Sequence, residues 1–304
     1  MTPRLPTPHD RRPHAGRWLA AALLLGVTHA LAADTAAPKT AITYKTEENL
    51  FYYEGEAAAK AGDYQRAQCR LDLYYPANSP GFATVIWLHG GGFTGGHRSF
   101  PLLKDKGLGI VTIDYRLSPK ASFPAFLQDA AAATAWTFRH IAERGGDPQK
   151  IFLSGHSAGG YLAAMVGMDP RWLAAFGLSN RQLAAVIPVS AQVTTHFTVK
   201  KLLGDTGPEL RPLIDQYAPL YYASKDLPPI CLITGDRRIE YKNRVEENDL
   251  LATALRNLGA PSVEFHEMGG LDHGLSRYGA WIIIPHYIKK VLRLAPHPPA
   301  TPAH

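Results

Sequence analysis

From residue 71 to residue 294, short apolar runs alternate with longer amphipathic stretches, and that alternation leaves few folds open. A strand that returns through a helix to a parallel neighbour needs a crossover, so the pattern implies a mainly parallel sheet with helices on both faces. Strands are expected at 71–75, 83–89, 109–114, 150–153, 183–190, 230–235 and 262–268. Helices are expected at 123–144, 158–168, 244–258 and 280–294, the first stopped by Gly145-Gly146-Asp147-Pro148. Glu246 and Glu247 read as a solvated first turn, where negative charge suits the helix dipole. Between 191 and 229 the periodicity is poor and Pro, Gly and Tyr recur, which predicts a cap-like insertion shaping a pocket.

At 304 residues and 46% hydrophobic, the chain is long enough for one large core, and no repeat or charge block divides it. The catalytic domain is expected over 69–295, an N-terminal segment at 33–68 packing on or near the site, and a tail at 296–304. Residues 1–32 read as a signal peptide. Arg11, Arg12 and Arg17 make a basic start, 18–27 is apolar, and Ala30-Leu31-Ala32 fits a cleavage site. The apolar run falls short of the ~20 residues that span a bilayer, so export to a periplasm or the medium is expected, without stable membrane insertion. The leader's four arginines and Asp10 supply half of the net charge of +6. What remains is scattered, with no basic stripe for nucleic acid. Cys69 precedes an early strand and Cys231 lies in a late one, and both are expected to be unpaired buried thiols. No sequence spacing suggests a metal site, and no cofactor is expected.

Three stretches carry chemistry. Gly155-His156-Ser157-Ala158-Gly159-Gly160 joins a strand to a helix rich in small residues, a turn sharp enough to expose the serine Oγ in front of the helix N-terminus. His89-Gly90-Gly91-Gly92-Phe93 ends an earlier strand, and its glycines free backbone amides to face a developing oxyanion. The amides of Gly91, Gly92 and Ala158 are therefore the expected oxyanion hole. Leu271-Asp272-His273-Gly274 follows the final strand, where His273 can reach back to Ser157 as general base, with Asp272 shaping the loop. His266 lies inside a strand, and His89 is placed to anchor the glycine loop. The acid should follow the strand at 230–235, where Asp236 and Glu240 both qualify and loop placement favours Glu240. Phe93, His156 and Phe197 are the expected substrate contacts, and Tyr221 and Tyr222 offer further aromatic surface.

These residues resemble the bacterial α/β-hydrolase esterases, including hormone-sensitive-lipase-like carboxylesterases and feruloyl and acetyl esterase relatives. The resemblance covers about 69–294 and rests on HGGGF at 89–93, DYRLSP at 114–119, GHSAGG at 155–160 and DHG at 272–274. It implies an α/β-hydrolase fold and hydrolysis of a small carboxylic ester, by a monomer or homodimer. His156 stands where lipase-like members usually have Asp, and Arg238 where they commonly carry the acid, which brings the chain nearer the feruloyl-esterase-like and arylformamidase-like branches. Short acyl or arylacyl esters are the expected substrates. An amidase using the same residues and a silent binding protein on the same scaffold are the rival readings.

Overall fold

The computed structural model describes residues 41–294, and the expected signal peptide and tail lie outside the described residues. In chain order the elements are β1 (Tyr44–Phe51), α1 (Gly55–Ala59), α2 (Asp63–Gln68), β2 (Arg70–Pro76), β3 (Phe82–Leu88), β4 (Gly109–Ile113), α3 (Ala125–His140), β5 (Gly146–His156) and α4 (Ala158–Met168). There follow α5 (Pro170–Ala174), β6 (Ala185–Val189), α6 (Phe197–Leu202), β7 (Ile230–Thr234), α7 (Arg244–Asn257), β8 (Val263–Glu267) and α8 (Ser276–Leu294). The strands form one sheet in the order β1-β2-β4-β3-β5-β6-β7-β8. Pairing is parallel from β4 to β8 and antiparallel at β1–β2 and β2–β4. This is the expected α/β-hydrolase architecture.

Every residue of β3, β4, β6 and β7 is buried, because both faces of the parallel region are covered by helices. The period of two divides them between two cores. Ile86 and Leu88 pack with α3, α4 and the inner side of α7, whereas Val85 and Trp87 pack with Ala280, Ile284 and Tyr287 of α8. Strand β1 has no counterpart among the expected elements. It is an outer strand carrying Lys45, Glu47 and Glu48, so it lacks the apolar signature that marks the interior ones.

The described part of the 33–68 segment does not pack at the site. It closes the sheet edge four strands from β5. Tyr53 fixes it there by donating to Asp129 at 2.5 Å, and Asp129 is also held by the Arg116 guanidinium at 2.6 Å. The insertion at 191–229 contains α6 and the 3-10 turn Pro219–Tyr222, and polar clamps order it. Buried Lys200 donates to the carbonyls of Pro208, Glu209 and Arg211 at 3.2, 2.7 and 2.7 Å. Glu247 is not solvated as expected: it is 7% exposed and accepts from Val193 N, Thr194 N and Thr194 Oγ1 at 3.1, 3.2 and 3.0 Å. Cys69 and Cys231 are both buried and unpaired. Among the described residues, no helix is long and apolar enough to cross a membrane.

Candidate active site

Ser157 sits between the end of β5 and the start of α4 with φ 57° and ψ −118°, a backbone state that side chains rarely adopt. The strain is held by close packing beneath it. A Cβ on Gly159 would lie 2.1 Å from the Leu88 carbonyl oxygen, so only glycine lets α4 press against β3. The Ser157 amide donates to Val189 O at 2.8 Å, which ties the turn to β6.

Two loops at the same end of the sheet reach this serine. Ser157 Oγ donates to His273 Nε2 at 2.8 Å, and His273 Nδ1 donates to Glu240 Oε1 at 2.5 Å. Glu240 also accepts from Ser190 Oγ, Gly235 N and Tyr241 N at 2.7, 2.9 and 2.8 Å. Burial alone would raise its pKa, but the bonds from His273 and Ser190 outweigh burial and bring it down to about 2. A carboxylate anion therefore faces the imidazole at neutral pH.

The alternative acid is turned to another task. Asp236 accepts from Arg238 Nη2 at 2.5 Å and from the Arg238 and Gly270 amides at 3.0 and 2.8 Å, tying the loop after β7 to the turn after β8. Those bonds, the Arg238 side chain first, hold its pKa well below the usual carboxylate range. It is not brought to His273.

His156 lines the cavity, as expected of a pocket residue, and it also braces the loop that carries His273. Its Nε2 donates to the His273 carbonyl at 2.7 Å, which Ser276 Oγ also engages at 2.9 Å. It is only 7% exposed, and its bond holds the backbone of His273 in place. Burial chiefly, and the neighbouring His273 imidazole, push its pKa down to about 4, so it stays neutral. Asp272 Oδ1 accepts from Leu275 N at 2.8 Å, which shapes the loop into α8.

The glycine loop lies against the elbow. Gly91 has φ 114°, and a Cβ there would stand 2.1 Å from Gly95 O. Among the described residues, and outside the regular ladders, the amides of Gly91, Gly92 and Ala158 donate to no backbone carbonyl. His89 steadies the loop by stacking on Tyr115 at 4.3 Å, while Tyr115 Oη donates to His89 O at 2.8 Å.

A cavity of about 670 Å³ opens over Ser157 and His273, with Gly91, Gly92 and Phe197 in its wall. Phe93 is absent from that wall. It is 0% exposed and stacked on Phe126 at 4.1 Å, so its expected substrate contact is replaced by a core role. Tyr221 and Tyr222 also lie elsewhere, Tyr222 beneath the Arg171 guanidinium. The aromatic wall is instead Trp87, Tyr241, Tyr278 and Trp281, with Arg244 among them. Two sequence signals mark it: Trp87 lies on β3 two residues before His89, and Tyr241 directly follows Glu240.

Away from this cavity, Cys231, Glu264 and His266 bring ligand-type atoms within 4.8 Å of one another across β7 and β8. Pairing of the strands, not sequence spacing, assembles them. Their chemistry fits a metal poorly, because Glu264 is paired to Lys290 at 2.6 Å and to His266 at 3.0 Å, and burial raises the Cys231 pKa.

The sheet order and its flanking helices give the chain the α/β-hydrolase fold. The family model described as BD-FAE matches residues 71–173. The chain is 26% identical over 256 residues to a probable carboxylic ester hydrolase, LipM, of Mycobacterium tuberculosis, covering 75% of this chain and 58% of that protein. A truncated carbohydrate esterase from gut microbiota superposes with a TM-score of 0.65 at 20% identity, covering 84% of this chain and 98% of that one. Thermogutta terrifontis esterase 2, phosphoramylated by tabun, gives 0.63 at 23% identity, covering 83% and 97%. The chain thus spans little more than half of LipM, while these solved folds match almost end to end. The resemblance to esterase relatives read from the sequence is borne out.

Proposed function

We propose that this protein is a serine carboxylic-ester hydrolase that acts on short acyl or arylacyl esters through an acyl-enzyme. The carrying observation is the relay from Ser157 Oγ to His273 Nε2 at 2.8 Å and on to Glu240 at 2.5 Å, opening on a cavity edged by unengaged amides. His273 takes the Ser157 proton as Oγ attacks the ester carbonyl, and ionised Glu240 stabilises the imidazolium that forms. The amides of Gly91, Gly92 and Ala158 receive the oxyanion, each such donor contributing about 3 kcal/mol to the transition state. His273 then gives its proton to the departing alcohol. Water, deprotonated by the same imidazole, releases the acid and restores the serine.

The aromatic wall supports small or aryl acyl groups, and the named esterase relatives support the reaction class. The basic, apolar and small-residue order of residues 11–32 supports export, which N-terminal sequencing of the mature protein tests. Ser157→Ala is expected to abolish turnover of a chromogenic butyrate ester and labelling by an alkyl phosphonate. Retained activity, or phosphonate attached to another residue, overturns the proposal.

A further inference from the structure

The cavity wall carries two cations, Arg244 and Arg277, and the buried one, Arg244, is left without an ion pair among the described residues. Arg244, the first residue of α7, is 3% exposed, yet its Nε has no hydrogen-bond partner, and among the described residues no carboxylate forms an ion pair with its guanidinium. Its Cζ lies 5.5 Å from the centroid of Tyr241, whose ring is 5.6 Å from that of His273. The nearby carboxylates are already occupied: Glu240 by His273 and Ser190, and Glu247 by Val193 and Thr194. Glu209 accepts from Tyr241 Oη at 3.2 Å. Burial pulls the Arg244 pKa down, with Glu247 and Glu240 opposing at a distance. A guanidinium nevertheless remains charged at neutral pH.

Burying a cation without a partner is costly, and the cost is removed when an anion arrives. The cavity lining is one-sided in charge: it includes Arg244 and Arg277 and neither Asp nor Glu. We infer that Arg244 is a specificity residue that binds an anionic group, a carboxylate, carried by the ester substrate. This rests on the proposed ester hydrolysis and narrows it. The preferred substrates are half-esters of dicarboxylic acids, or esters whose alcohol part bears a carboxylate, with the planar fork of Arg244 taking both carboxylate oxygens.

The test compares esters of matched shape by pH-stat. Monoethyl succinate is set against ethyl butyrate for the acyl side, and butyryloxyacetate against propyl butyrate for the alcohol side. The kcat/KM ratio of charged to neutral ester should exceed unity by about 10- to 100-fold in one pair, the range of a charge-assisted bond, and that pair shows which side faces Arg244. In Arg244→Gln the same ratio should fall towards one, whatever the absolute rates, while Arg244→Lys should keep part of it. Should the variants fail to fold, the wild-type ratios still decide. Hydrolysis of neutral esters with no charged preference in either pair overturns the inference and leaves the esterase reading standing. A ratio unchanged in Arg244→Gln also overturns it. Hydrolysis of neither class overturns the esterase reading and the inference together.

Discussion

Replacing Glu240 by Gln removes one charge from the relay at almost constant shape. In the native protein all four bonds to this carboxylate arrive from donors, two on each oxygen: His273 and Tyr241 N on Oε1, Ser190 and Gly235 N on Oε2. A glutamine must turn its NH2 towards one of these pairs. Towards Oε2 it opposes the Gly235 amide at 2.9 Å. Towards Oε1 it opposes the Tyr241 amide and forces His273 to accept at Nδ1, so that Nε2 carries the proton and cannot take another from Ser157. The electrostatic loss is separate. An imidazolium 2.5 Å from the carboxylate gains about 7 kcal/mol at an effective dielectric near 20. The amide dipole restores part of that, so kcat/KM is expected to fall by about 10³- to 10⁴-fold. The assay is steady-state hydrolysis of a chromogenic butyrate ester, with Asp236→Asn as comparator and near-ultraviolet circular dichroism to establish folding. Asp236→Asn should stay within about tenfold of the wild type, since its bonds only tie two loops. A folded Glu240→Gln protein losing less than Asp236→Asn would refute the assignment of the acid.

Two further outcomes follow from burial. Phe93→Ala empties a site stacked on Phe126 and should cost about 3–5 kcal/mol of stability by denaturant melt while moving KM by less than about threefold; a large KM change with unaltered stability would return Phe93 to the pocket. His156 is held neutral, with a folded-state pKa of about 4 against an ordinary value of 6.5. Between those values the unfolded chain binds the proton and the folded one does not, so stability falls as pH drops from 6.5 to 4, by about 3 kcal/mol from this group, and levels off below. His156→Gln keeps a donor to the His273 carbonyl and should flatten that part of the pH–stability profile; an unchanged slope would show that the ring is not neutral.

The interior of the sheet was legible in the sequence because fully buried parallel strands are continuous apolar runs, as β3 and β7 show. Strand β1 was not, because an outer strand facing water is built from Lys45, Glu47 and Glu48 and carries no such mark. Ser157, His273 and the glycine loop announce themselves by glycines that only sharp backbone turns require. The acid was left between Asp236 and Glu240 because they stand one helical turn apart, and nothing in the local chain reveals that Arg238 and Gly270 N claim the first. Phe93 was misplaced for a related reason: adjacency to a glycine loop says where its backbone runs, and its positive φ of 66° sends the ring into the core. Arg244 was invisible, since an isolated arginine at a helix start is ordinary until its surroundings are seen to lack a counter-ion.

Glu247 makes the insertion and helix α7 inseparable. A chimera importing residues 191–229 from another protein of this fold, to reshape the cavity, would discard the donors of Val193 and Thr194 and strand a charged side chain in the interior. The helix bearing it also bears Arg244, one turn earlier, so the damage would spread to the wall of the cavity. Successful grafts must transplant the loop together with the first turn of α7 as a single unit.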